Sequence, residues 1–125
     1  MILVFDTSIL IELDRGNKEI IRKLSDMRKV YPANAKISFV SYFEFLYGLR
    51  NKLEKNKYKS MDFIEKFDII QTSKDTANLL INLKQNYELS LSNLLIAAHT
   101  REVKGILVTK DKDFEKIKEL KSIII

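Results

Sequence analysis

Five short apolar runs, "ILVFD", "AKISFV", "FDIIQ", "ILVT" and "SIII", are separated by longer segments whose apolar residues recur at helical intervals. No other feature narrows the fold so far. The first run has no polar interruption before Asp6, as expected of a central strand covered on both faces that delivers this acid to its carboxyl end. Ile20, Ile21, Leu24, Met27 and Val30 mark one helix, and Thr76, Leu79, Leu80, Leu83 and Tyr87 stripe another. Gly16 separates the first two helices, and Pro32 ends the second. "SYFEFLYGLRNKL" reads as a third helix, Asn56 to Lys66 as a charged fourth, and "KDKDFEKIKEL" as a short helix or turn. Thr72 or Ser73 is placed to cap the helix that follows it, Ser90 or Ser92 the next, and Gly105 to close that one. Such alternation predicts an α/β fold: a three-layer α/β/α sandwich around a central, mostly parallel sheet of four or five strands. In open sheets of this kind ligands gather at the carboxyl ends of the strands.

The chain's 125 residues suffice to bury one core and are too few for two ordinary domains, so residues 1–125 are expected to form a single domain. No repeat, linker or low-complexity tract suggests another module. With no cysteine, a disulfide framework and a thiolate zinc site are both excluded. No apolar run approaches the length of a membrane span, and Asp6 and Glu12 stand where a signal peptide needs apolar residues. A cytoplasmic protein is expected. The formal charge of +5 favours an anionic partner such as RNA or DNA. Cations concentrate in "RNKLEKNKYK", Arg50 to Lys59, either a solvated surface or an edge that contacts phosphates.

Four acids lie where strand ends could bring them together: Asp6, Glu44, Asp111 and Asp113. Clustered carboxylates repel unless a cation neutralises them, and hard oxygen ligands suit Mg²⁺ or Mn²⁺. A basic chain with an acidic pocket therefore points to a metal ion acting on phosphate. Each acid also has a local explanation. Asp6 can cap the helix starting at Thr7 or Ser8; "SYFE" matches a capping box that would occupy Glu44; Asp111 and Asp113 can be turn residues; and Asn93 can be a helix cap or a polar residue on the first turn. His99, the only histidine, lies about 240° around its helix from Asn93, so it serves packing or the surface better than it serves as a general base. No glycine-rich phosphate loop and no serine or cysteine nucleophile pattern is present.

The order of "VFDTSIL", "SYFEFLYG", "LSLSNLLIAA" and "GILVTKDKDF" resembles that of PIN-domain proteins, and closely that of the VapC-type toxin ribonucleases of toxin–antitoxin pairs. The resemblance spans essentially the whole chain. It implies an acidic quartet carried by Asp6, Glu44, Asp111 and the position of Asn93, all four as catalytic and metal-holding residues. Thr7, Ser8, Thr109 and Asp113 match supporting positions. Arg50 and Lys110 are candidates for contact with the RNA backbone. The implied chemistry is hydrolysis of RNA phosphodiester bonds with Mg²⁺ or Mn²⁺, leaving 5′-phosphate and 3′-hydroxyl ends. A VapB-like antitoxin laid in an apolar groove and a homodimer are the implied partners, with the aromatics of "SYFEFLY" as candidates for that surface.

Asn93 departs from the pattern, which has aspartate there. An amide oxygen can ligate a hard cation, but it brings no charge, so the ion is held less firmly and one proton acceptor is lost. The expectation is a weakened or inactivated enzyme, arising either naturally or by deliberate neutralisation of a toxin. The alternative function is a catalytically inactive PIN domain that binds RNA or protein. A phosphoacceptor receiver domain fits poorly, because Asp6 stands alone on its strand.

Overall fold

The computed structural model describes residues 1–125. Its strands are β1 (Leu3–Phe5), β2 (Lys36–Ser38), β3 (Asp68–Ile70), β4 (Ile106–Thr109) and β5 (Ser122–Ile124), joined in one sheet in the order β3-β2-β1-β4-β5. Every pairing is parallel. The expected α/β sandwich is therefore present, with five strands and no antiparallel member.

Six helices cover the sheet: α1 (Thr7–Asp14), α2 (Lys18–Val30), α3 (Phe39–Gly48), α4 (Glu54–Ile64), α5 (Lys74–Asn86) and α6 (Leu91–Glu102). Two short 3₁₀ turns, Leu49–Asn51 and Lys112–Lys116, complete the chain. Successive strand residues point to opposite faces, and the burial follows this period. Leu3, Phe5, Ile37, Ile106 and Val108 join Ile9 and Leu10 of α1, Leu24 of α2, Phe45 of α3 and Ile64 of α4 in one core. Val4, Ile70 and Leu107 pack on the other face with Leu83 of α5, Leu94, Ile96 and Ala97 of α6, and Phe114. Burying each such large side chain contributes about 1.5–3 kcal/mol relative to exposure.

The caps are set by the chemistry of the sequence. Gly16 turns with φ +75° and Asn17 accepts from the backbone of Glu19 and Ile20 to start α2. Ser73, not Thr72, caps α5 in a capping box with Thr76, and Ser90, not Ser92, caps α6. The third helix starts earlier than its sequence pattern suggests: Ser38 caps it through the Val40 N–H, so Phe39 and Val40 leave the strand. Gly105 does not close α6 in a left-handed turn; Lys104 takes that conformation, with φ 52°. Gly105 is required by space instead, since a Cβ there would lie 2.9 Å from both the Ile2 carbonyl oxygen and Val4 Cγ2.

Chain order reverses direction at β1: the chain builds outward through β2 and β3, then returns to place β4 on the other side. The crevice at the carboxyl ends of β1 and β4 is the switch point where such sheets bind ligands. Asp6 follows β1 there, and Asp111 follows β4.

Candidate active site

Asp6 occupies the position before α1, yet its side chain makes no capping bond to the helix. Thr109 Oγ1 at the end of β4 donates to Asp6 Oδ2 at 2.6 Å, and Ser8 Oγ reaches the same oxygen at 3.3 Å. Asp6 is buried, only 6% exposed as a residue. Burial pushes its pKa up from the usual carboxylate value; the Thr109 and Ser8 hydroxyls pull it back, and the charge of Glu44 adds to the rise. A desolvated acid beside a second acid is an arrangement that a cation relieves.

Thr109 also ties this acid to the next one. Its Oγ1 accepts from the Asp111 N–H at 3.0 Å, so one hydroxyl bridges the two strand ends. Asp111 Oδ1 accepts from the Asp113 N–H at 2.9 Å, starting the 3₁₀ turn, while Oδ2 accepts from Asn93 Nδ2 at 3.2 Å. The turn explanation for Asp111 is thus correct for one oxygen and leaves the other for the site. Asn93 is not the cap of α6; its own N–H donates to the Ser90 cap at 3.1 Å, and its side chain is free to face Asp111.

Glu44 is held from a distance of 37 residues: Thr7 Oγ1 donates to its Oε1 at 2.6 Å. The capping box suggested by "SYFE" does not form, because the cap is Ser38 and Ser41 lies buried inside the helix with its Oγ unpartnered. The Lys110 N–H donates to Ser8 Oγ at 3.2 Å, and its ammonium lies 3.8 Å from Glu12, on the flank of the site.

The structure therefore brings together Asp6, Thr7, Ser8, Glu44, Asn93, Thr109 and Asp111. Two of the expected residues are engaged elsewhere. The Asp113 carboxylate is exposed and pairs with Lys116 at 3.2 Å, so only its backbone serves Asp111. Arg50 donates to the Tyr47 carbonyl at 2.8 Å and lies over the Tyr47 ring at 4.0 Å.

The donor set is one of hard oxygens and fits Mg²⁺ or Mn²⁺ by type. No three acidic or imidazole side chains stand close enough to form a ligand set by themselves. Asn93 turns its NH₂ toward Asp111 Oδ2, which leaves Oδ1 as the atom it could offer an ion.

His99 is wholly buried, on the packing side of the two expectations. Its Nδ1 lies 2.7 Å from Ser38 Oγ and its Nε2 lies 2.9 Å from Thr72 Oγ1. Burial holds its pKa below the ordinary value, with the charge of Glu102 opposing weakly. Ser38 Oγ already accepts from Val40, so its proton is free to meet Nδ1, leaving the Nε2–H to donate to Thr72. This neutral ring ties α6 to β2 and to the loop after β3. A lone histidine on an apolar helix face was the only signal for it in the sequence.

The PIN domain family model matches residues 3–120. This chain belongs to the PIN domain family. Among relatives of this PIN domain, ribonuclease VapC3 of Methanocaldococcus jannaschii is 32% identical over 97 residues, covering 76% of this chain and 94% of that protein. Among solved structures, VapBC2 from Rickettsia felis bound to a DNA fragment from its promoter superposes with a TM-score of 0.82 at 25% identity, covering 100% of this chain and 99% of the other. A toxin–antitoxin complex from Klebsiella pneumoniae gives 0.79 at 28% identity, over 98% and 99% of the two chains. No helix of this PIN domain is long and apolar enough to cross a membrane.

Proposed function

We propose that this PIN domain, a single domain over residues 1–125, is a cytoplasmic endoribonuclease toxin of the VapC type, dependent on Mg²⁺ or Mn²⁺ and restrained by a VapB-like antitoxin. The observation that carries the reading is the Thr109 hydroxyl, which joins Asp6 and Asp111 across the switch point, with the charge of Glu44 felt by Asp6. The likeness to a VapC ribonuclease and to toxin–antitoxin complexes supports the substrate class and the kind of partner.

Asp6, Glu44 and Asp111 are the acids that would draw together around the ion from their present separation, with Asn93 as a neutral fourth oxygen ligand. Bound there, a divalent ion supplies a water of lowered pKa and charge neutralisation at the phosphate. The protein's part is positional. Thr109 and Ser8 orient Asp6, Thr7 orients Glu44, and the fold of the 3₁₀ turn orients Asp111. Asn93 offers no charge and no proton acceptor of carboxylate strength, so cleavage by this chain is slow.

An apolar cleft of about 400 Å³ lined by Leu3, Phe5, Leu13, Ile21, Leu24 and Phe67 has room for apolar side chains of the antitoxin segment. Phe39, Phe43 and Tyr47 are 44%, 56% and 57% exposed on α3, a row available to a second copy in a homodimer. Phe45, of the same stretch, is core.

The second reading, a non-catalytic binding module, is favoured by one observation: the Asn93 amide donates to the acid that would otherwise face the ion. A ribonuclease assay with Mn²⁺ and with EDTA, run beside Asp6→Asn, separates the two. Weak cleavage that EDTA and the substitution both abolish supports the enzyme. Cleavage indifferent to EDTA or to the loss of Asp6 refutes it, and no cleavage together with no Mn²⁺-induced rise in melting temperature favours the module.

A further inference from the structure

Three side chains from separate segments close a triangle on the flank of the site. Ser60 Oγ of α4 donates to Asp14 Oδ2 at the end of α1, at 2.7 Å. Lys52 Nζ lies 3.2 Å from the same Asp14 oxygen and 3.3 Å from Ser60 Oγ. The Asp14 side chain is only 9% exposed, whereas that of Lys52 remains 41% exposed. An ammonium carries three donors. Two are taken by Asp14 and Ser60, and the third has no acceptor in the protein.

Lys52 and Asp14 line a cleft of about 130 Å³ whose other walls include Glu44, Gly48 and Arg15. A cation fixed at two points therefore shares a cleft with Glu44, one of the site's acidic residues. Gly48, one helical turn beyond Glu44, keeps that wall low, since a Cβ built on it meets nothing within 4 Å. A tie between α1 and α4 is already made by the direct Ser60–Asp14 bond, so Lys52 is not needed for it. What Lys52 adds is an oriented positive charge at the solvent side, with one donor to spare. It also belongs to the basic run Arg50–Lys59, from which Arg50 has turned away onto Tyr47.

We propose that Lys52 Nζ anchors a backbone phosphate of the RNA strand beside the one being cleaved, and that Asp14 and Ser60 are positioning residues that hold it there. This rests on the ribonuclease reading above. A phosphate fits because it accepts a charge-assisted bond from the free donor, and because the strand must run past Glu44 in both directions to be cut internally.

The test is binding of a labelled single-stranded oligoribonucleotide to the full chain in EDTA, by fluorescence anisotropy over a range of salt concentrations. Lys52→Gln is expected to reduce the slope of log K against log salt by about 0.7 and to weaken binding roughly 5-fold near 0.1 M salt. Lys52→Arg keeps the charge and restores most of the slope. Ser60→Ala keeps both the Lys52 and the Asp14 charge but removes one of the two points that hold the ammonium, so affinity falls with the slope unchanged. Melting temperatures identify any variant that fails to fold; Lys52→Gln, at an exposed side chain, carries the test of the anchor and Ser60→Ala that of the positioning role. An unchanged slope in Lys52→Gln, as a surface for a protein partner would give, overturns the anchor, and unchanged affinity in Ser60→Ala overturns the positioning role. A parent chain with no RNA affinity at any salt concentration overturns the ribonuclease reading itself.

Discussion

Replacing Asn93 by aspartate probes the site more sharply than any other single change. The amide nitrogen stands 3.2 Å from Asp111 Oδ2, so the substitution exchanges a hydrogen bond for two carboxylate oxygens at close range. Two unit charges at that separation repel by about 5 kcal/mol at an effective dielectric of 20 and by about 1.3 kcal/mol in bulk water. Both side chains are partly exposed, and rotation relieves part of the contact, so a net cost of about 1–2 kcal/mol is expected without metal. For a chain of this length that lowers the melting temperature by on the order of 5 °C. With a divalent cation the sign reverses, because the added charge now binds the ion. Differential scanning calorimetry in EDTA and in millimolar Mn²⁺, with parent and variant side by side, is the assay. The variant should melt lower in EDTA, gain more from Mn²⁺ than the parent does, and cleave RNA faster by orders of magnitude in the same buffer. If both proteins melt together in EDTA and gain equally from Mn²⁺, the side chains at 93 and 111 do not share an ion.

Gly105→Ala should destabilise the fold by about 1–3 kcal/mol, because its methyl meets the Ile2 carbonyl oxygen and Val4 Cγ2 at 2.9 Å; Lys104→Gly, which releases a left-handed residue, should stabilise it by about 0.5–1 kcal/mol in urea titrations. His99 is held neutral in the fold, whereas the unfolded chain takes up a proton near pH 6.5. Its contribution is therefore complete above that pH and is lost as pH falls below it, by at most about 1.4 kcal/mol per unit. His99→Gln should melt lower at pH 7.5 yet lose less between pH 7 and 5.5, and a parallel decline in both proteins would count against the buried ring as the source.

The strand ends were legible because they depend on a local pattern. An unbroken apolar run followed by an acid places Asp6, and "ILVT" followed by a turn places Asp111, whatever the rest of the chain does. Parallel order follows from the helices between the runs, since a strand must cross over to pair in the same direction. Glu44 was ambiguous because S-x-x-E is itself a local signal. Ser38, three residues before that serine, takes the cap and leaves Glu44 for Thr7. Gly105 misled for a related reason: a glycine after a helix usually answers a need for positive φ, and here it answers a close approach by β1 that no helix rule contains.

The sequence by itself determined the alternation of strand and helix, the apolar stripes along the helices and the arrival of acids at one edge, because periodicity and burial act over a few residues at a time. Only the tertiary structure decided which hydroxyl holds which carboxylate. Thr109 lies 103 residues from Asp6, Thr7 lies 37 from Glu44, and Ser38 lies 61 from His99. A hydrogen bond asks for its partner within about 3 Å. That condition is met only after the crossovers have set the strands side by side, and nothing in the spacing of the residues along the chain encodes it.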